Sequence, residues 1–309
     1  MSIGYNLPLY LLPFDHRHSY VSGMFQLASP LTATQRRAVI ESKEVIYDGF
    51  RHALGGALTV DRAGVLVDEE FGADILRDAN RSGYVTALST ERSGLTEFEF
   101  EYGSAFAAHI EAFQPTFAKA LVRYNPEGDV ALNARQTARL KKLSDYCRAA
   151  RQRFMFELLV PATQAQLDRS GADRDTYDQS LRPPLMLQAI SVLQDAGVEP
   201  DIWKIEGLDR REDCERVVAV SRRDGRDDVG CIVLGRHADE EKVASWLRTA
   251  ASVPGFIGFA VGRTTFWDAI ADYVKKRTTR REAVSRVARR YREWARVFDG
   301  ARPSQSSAA

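Results

Sequence analysis

Eight short apolar runs, separated by longer stretches of helical period, constrain this sequence more than any other feature. They occupy residues 9–14, 64–67, 84–88, 118–123, 154–160, 202–206, 231–234 and 256–261. Between them lie 32–53, 69–81, 103–113, 133–151, 184–196, 209–222 and 240–250, with apolar residues near i, i+3 and i+4. Strands that alternate with helices without a clear break read as parallel βα units, and eight such units close into a barrel more naturally than they form an open sheet. The expected architecture is an α/β fold, a (β/α)8 TIM barrel. It forms a single domain over residues 1–300 with an extra C-terminal helix, and a flexible tail over 301–309.

Local signals agree with these boundaries. Thr32 and Asp239 are expected N-caps, and Gly197 an expected stop after the helix before it. The last segment, 280–298, is a basic amphipathic helix with Val284, Val287, Tyr291 and Trp294 along one stripe. It is expected to pack on the outside of the barrel, with a contact in a homo-oligomer as the alternative.

Charge and composition exclude several function classes. Lys and Arg number 43 against 42 Asp and Glu, and no basic block stands out, so no nucleic-acid partner is expected. The longest apolar stretches fall far short of the ~20 residues that span a bilayer, so no membrane partner is expected either. The N-terminus lacks the basic and long apolar regions of a signal peptide. Cys147, Cys214 and Cys231 form no CxxC pair. A reducing, cytoplasmic compartment is the expectation.

In barrel enzymes the catalytic groups come from the C-terminal ends of the strands and the loops that follow. Nearly every candidate strand here ends in polar residues. The first gives Asp15, His16 and Arg17; the third Glu91 and Arg92; the fourth Arg123; the seventh Gly235, Arg236 and His237; the eighth Gly262 and Arg263. Lys204 interrupts an apolar strand, and period-two alternation puts Ile202, Lys204 and Glu206 on one face, with Trp203 and Ile205 toward the helices. Burial or a neighbouring cation lowers a lysine's pKa and yields the neutral amine that attacks a carbonyl; the alternative is an idle lysine paired with Glu206. The same alternation turns Lys119 and Arg123 inward, with Lys119 the expected like-charge neighbour. Glu157, a carboxylate in an apolar strand, would be paired or have a raised pKa, and either suits acid–base work.

Gly262-Arg263 opens a helix after the eighth strand, and Gly235-Arg236 follows the seventh. Loops at these places are the usual phosphate site of the fold. No HExxH, GxGxxG or GxxxxGK[ST] motif is present, so neither a metal nor a nucleotide cofactor is expected, although His16 and His237 could meet across the barrel mouth.

The stretches LPFDHR, VDEEFGADIL, VRYNPEGD, FELLVP, DIWKIEGLDRREDCERV and GFIGFAVGRTTFWD together resemble a known family. It is the aldolase-like domain found fused behind 5-dehydro-2-deoxygluconokinase in some bacteria that degrade myo-inositol. The likeness covers roughly residues 7–298. More distantly the chain is similar to the class I tagatose-bisphosphate aldolases, whose motifs match Asp15 and Arg17, Lys119, Glu157, Asp201 with Lys204 and Glu206, and Gly262, Arg263 and Thr265. The resemblance implies a lyase in which Lys204 forms a Schiff base with a phosphorylated keto sugar, without a metal or cofactor. Glu157 and Asp15 would move protons, assisted by Lys119. Arg263 with Gly262, and Gly235 and Arg236, would hold phosphate, with Glu206 close by. Arg17, Arg92 or Arg123 would meet a substrate carboxylate.

The implied reaction cleaves 2-deoxy-5-keto-D-gluconate 6-phosphate to dihydroxyacetone phosphate and malonate semialdehyde. Two other readings stay open. One is the same chemistry on a ketohexose bisphosphate or a sulfosugar phosphate. The other is a non-catalytic sugar-phosphate-binding protein. The Gly235-Arg236-His237 loop departs from the small Ser-Ala-Gly type of the tagatose enzymes, which leaves the phosphate geometry to the structure.

Overall fold

A computed structural model describes residues 3–56, 58–236 and 238–303. All eight expected strands are present and parallel: β1 (Leu9–Pro13), β2 (Ala63–Val67), β3 (Val85–Ser89), β4 (Phe117–Arg123), β5 (Arg153–Leu159), β6 (Ile202–Glu206), β7 (Gly230–Leu234) and β8 (Phe256–Ala260). They hydrogen-bond in sequence order, and β8 pairs with β1 to close the barrel. Closure is tight at this seam. A Cβ on Gly258 would stand 1.7 Å from the Leu9 carbonyl oxygen, so only glycine fits.

The helices are α1 (His18–Phe25), α2 (Ala33–Ala53), α3 (Glu69–Arg81), α4 (Phe106–Phe113), α5 (Val130–Ala149), α6 (Gln164–Arg169), α7 (Arg174–Thr176), α8 (Arg182–Asp195), α9 (Arg211–Ser221), α10 (Glu240–Ala251), α11 (Arg263–Val274) and α12 (Arg280–Ala301). Thr32 caps α2 in a reciprocal box with Gln35, and Asp239 caps α10 through Lys242 N–H. Gly197, at φ +79°, ends α8 as expected. Three helices were not foreseen. α1 is short, with Tyr20, Val21 and Met24 buried, and α6 and α7 lie in an excursion between β5 and β6 for which no element is expected. α12 runs three residues beyond its expected end, and residues 304–309 of the expected tail lie outside the described residues.

Alternation along the strands sorts side chains into two cores. Leu9, Leu11, Leu66, Val85, Ala87, Phe117, Met155, Ile202 and Ile232 fill the lower barrel interior, closed below by Tyr5, whose ring meets Phe117 edge-on at 5.1 Å. Tyr10, Val65, Phe154, Phe156, Trp203 and Ile205 face the helices. α12 covers the outside of the β8–β1 seam. Its Tyr291 hydroxyl donates to the Tyr10 carbonyl, and Val287, Tyr291 and Trp294 are buried, while Val284 is half-buried. No described helix is long and apolar enough to cross a membrane.

One ion pair belongs to this framework alone. Lys43 of α2 contacts Asp68 at the end of β2; both are fully buried, and Asp68 also caps α3 through Phe71 N–H. The Tyr20 and Phe71 rings flank the ammonium at 5.6 and 5.5 Å. Removing one partner strands the other charge in a dry site. Lys43→Met should therefore lower stability by about 3–5 kcal/mol, read as a shift of the urea midpoint. A shift no larger than that of an exposed lysine variant would mean the pair contributes nothing net.

Candidate active site

Above the apolar layer, the next inward pleat is charged. Glu157 and Lys204 are register partners across β5 and β6, so their side chains stand side by side. Lys119 occupies the same inward face of β4, two residues above Phe117. Lys204 Nζ contacts a Glu157 carboxylate oxygen and is 3% exposed as a residue. Lys119 is fully buried, and its Nζ lies 2.8 Å from each of three carboxylates, Asp15, Glu91 and Glu157. Period-two alternation thus turned Lys119 and Lys204 to the inward face, and the β5–β6 register brings Glu157, the carboxylate noted within an apolar strand, beside Lys204. The idle pairing of Lys204 with Glu206 does not occur.

The electrostatics follow from burial and from these contacts. Burial pushes the Lys204 amine below the ordinary lysine value; Glu157 opposes this and Lys119 reinforces it. Lys119, the expected like-charge neighbour, acts in the expected direction but less than burial, and is itself surrounded by carboxylates. Those carboxylates outweigh its own burial and raise its pKa. Burial alone would raise Glu157, yet Lys119 and Lys204 hold it below the usual carboxylate range. It is paired and ionised. Asp15 is lowered likewise against burial, chiefly by Lys119. Glu91 goes the other way: burial raises it despite Lys119 and Arg17.

Asp15, Glu91, Glu157 and Lys204, but not Lys119, open into a cavity of about 380 Å³ at the C-terminal mouth, lined also by His16, Arg92, Arg123, Arg236, Gly235, Gly262 and Arg263. The arginines differ in what they already hold. Arg17 is buried, bonded to Glu101 at 2.6 Å and to the Glu91 carbonyl. Arg236, at φ +41°, is clamped by Asp178 and Glu206, each at 2.6 Å. Glu206 also accepts from Val160 N–H and does not line the cavity, so its expected place at the substrate is replaced by a hold on Arg236. Arg123 is exposed and donates to the Leu95 carbonyl at 3.1 Å, while Arg92, in the loop after β3, is exposed with only a 3.9 Å approach to Glu99.

Arg263 has no carboxylate partner among the described residues. It donates to Ser19 Oγ at 2.5 Å, lies 5.1 Å over the Trp267 ring, and its Nε is buried without a partner. It is the first residue of α11, and a Cβ on the preceding Gly262 would come within 2.4 Å of the Pro13 carbonyl. A guanidinium beside free helix-terminal N–H groups is suited to an anion. Asp201 serves elsewhere, accepting from Gly4 and Phe154 N–H at the other end of β6. His237 lies outside the described residues, and among those described no group of three His, Cys, Asp or Glu could hold a metal.

The sequence names Glu91 only among the strand-end groups, without a role, and does not single out Ser19 or Asp178. Glu91 carried a signal, its place at a strand end. Ser19 and Asp178 sit on elements that themselves went unread.

A family model described as an uncharacterized protein conserved in bacteria (DUF2090) matches residues 6–302. A search of curated protein sequences gives no match. Among solved structures, Cgl0159 from Corynebacterium glutamicum is 18% identical, with a TM-score of 0.57 over 95% of this chain and 88% of that one. The fructose-bisphosphate aldolase of Plasmodium falciparum, solved with TRAP and a small-molecule inhibitor, is 13% identical, with a TM-score of 0.60 over 98% and 99%. A fructose 1,6-bisphosphate aldolase from an archaeon is 11% identical, with a TM-score of 0.59 over 95% and 94%. At these identities the likeness is one of fold, an aldolase-like TIM barrel.

The lowered amine has a direct readout. Its neutral, reactive form appears as pH rises through the lowered pKa. Reductive methylation with formaldehyde, followed by peptide mass mapping, should therefore modify Lys204 with a midpoint below the ordinary 10.5. Lys119, buried and held as a cation, should resist. Equal labelling of both lysines would contradict the electrostatics described.

Proposed function

The chain belongs to the bacterial DUF2090 family, and we propose that it is a class I, Schiff-base aldolase acting on a phosphorylated keto sugar acid. One observation carries this reading: a buried amine, Lys204, lies against an ionised carboxylate, Glu157, at the floor of a cavity whose rim holds an arginine without an acidic partner. A protein that only bound sugar phosphates would have no use for a desolvated amine whose pKa is lowered.

The substrate that suits the site best is 2-deoxy-5-keto-D-gluconate 6-phosphate, the compound implied by the sequence resemblance. Its phosphate would sit at Arg263 and the N-terminus of α11. Its carboxylate would reach the exposed Arg92 and Arg123 across the mouth, because the Arg17 and Arg236 guanidiniums are already paired. The Lys204 amine attacks the C5 carbonyl, and loss of water from the carbinolamine gives an iminium. Asp15, hydrogen-bonded to Lys119, assists the proton transfers of that step. Glu157 then takes the C3 hydroxyl proton as the C3–C4 bond breaks. The bonding pair flows into the iminium, giving an enamine on Lys204 and releasing malonate semialdehyde. Protonation at C4 and hydrolysis free dihydroxyacetone phosphate and regenerate the amine. This assignment makes the protein a lyase of myo-inositol breakdown working in the cytoplasm. Its partner is a small molecule, with no cofactor.

The nucleophile is tested by borohydride trapping with dihydroxyacetone phosphate. In the natural chain the adduct should map to the tryptic peptide containing Lys204. Lys204→Met and Lys204→Arg should fold, by circular dichroism and melting, yet cleave at background rate, since neither side chain forms an iminium. Turnover by Lys204→Met without any trapped lysine would end the Schiff-base reading.

The phosphate assignment has its own test. Arg263→Ala removes a charge-assisted contact of roughly 1.5–3 kcal/mol, about a 10- to 150-fold loss in kcat/KM on the phosphorylated substrate. An unphosphorylated analogue should lose far less. Equal losses on both would place Arg263 in structure rather than in binding.

A further inference from the structure

His16 follows Asp15 at the end of β1 and lines the same cavity as Lys204 and Arg263, yet the reaction as written gives it no task. Its ring meets Phe266 of α11 edge-on, with centroids 6.3 Å apart, so the side chain leans toward the helix that begins at Arg263. Its Nδ1 is buried and has no hydrogen-bond partner among the described residues. A polar atom buried without a partner costs about as much as a lost hydrogen bond, and in a ligand cavity the ligand is the natural source of the missing contact.

The charge state suits such a contact. Burial holds the imidazole down to about 3, with Arg263 and Lys43 disfavouring a further cation beside them and Asp15 and Glu157 acting in the opposite sense. The ring is therefore neutral through the physiological range, with one nitrogen donating and one accepting. A neutral donor there adds to the anion-binding group without the repulsion that a second cation would bring to Arg263.

We infer that His16 is a substrate-binding residue that donates a hydrogen bond to the phosphate held at Arg263. The inference builds on the aldolase reading for its ligand but assigns His16 no part in bond breaking. Arg263 would provide the charge and His16 a directional contact from the adjoining end of β1. Ser19, which fixes the Arg263 guanidinium, comes from the same β1–α1 segment, so one turn of chain would set both.

The test compares dihydroxyacetone phosphate with unphosphorylated dihydroxyacetone in borohydride trapping. His16→Leu, which keeps much of the ring's bulk, should raise the half-saturating concentration of dihydroxyacetone phosphate about 10-fold. That of dihydroxyacetone should stay within about twofold, and His16→Gln, a neutral amide, should restore most of the loss. His16→Ala guards against a Leu variant that fails to fold and should show the same selectivity. A second arm does not depend on the Schiff base: calorimetric binding of dihydroxyacetone phosphate to the Lys204→Met chain should weaken by a similar factor when His16→Leu is added. If wild-type trapping fails while this arm shows the loss, the aldolase reading falls and the His16 contact stands. Equal weakening for both ketones, or no weakening in either arm, overturns the proposal for His16.

Discussion

Lys119 stands where the ends of four strands converge, and its ammonium joins carboxylates from β1, β3 and β5 to β4. A cation with no exposure to water is tolerable only because Asp15, Glu91 and Glu157 surround it at 2.8 Å. The reverse also holds: three carboxylates this close would repel one another without it. The cluster fixes the direction of Glu157, and Glu157 in turn sets the surroundings of Lys204. A buried amine left alone would simply lose its proton. Glu157 beside it opposes that loss. The β5–β6 register, with Glu157 directly opposite Lys204, makes that contact a property of the barrel and not of a mobile loop.

Around this centre the cations divide by what they already hold. Arg17 closes against Glu101 and the Glu91 carbonyl, which ties the loop after β3 to the end of β1. Arg236 is enclosed by Asp178 and Glu206, which ties the loop after β7 to the excursion between β5 and β6. Both line the mouth, but a second anion would have to compete with carboxylates already in place. Arg263 is held by a hydroxyl and an aromatic face, neither of which neutralises it. That difference in partners, more than position along the chain, separates wall arginines from the one suited to a ligand anion.

The outer shell supports the same end of the molecule. Thr265, in the first turn of α11, donates to the Val261 carbonyl and accepts from the Trp294 indole of α12 at 3.1 Å. The extra C-terminal helix thus braces the start of the helix that carries Arg263. Gly262 lets that start approach the end of β1 closely enough for Arg263 and Ser19 to meet. The helix whose stripe covers the barrel therefore also holds in place the end that carries Arg263.

Strand number, strand order and the inward faces of β4 and β6 were legible in the chain. Alternation and helical period are local properties, and Lys119, Glu157 and Lys204 each interrupt an apolar run at an inward position. The caps at Thr32 and Asp239 and the stop at Gly197 were legible for the same reason, since each acts within a few residues of itself. The pairing of charges was not. Arg17 meets Glu101, Arg236 meets Asp178, and Lys119 meets Asp15 across stretches of chain that no spacing rule connects. Glu91 sat visibly at a strand end, but only closure of the barrel shows it sharing Lys119 with two other carboxylates. By itself the sequence determined a barrel with a ring of polar groups at one end. Tertiary structure decided which of those groups are spent on one another and which are left for a ligand, because ion pairing and desolvation depend on distances that exist only once the eight strands have closed.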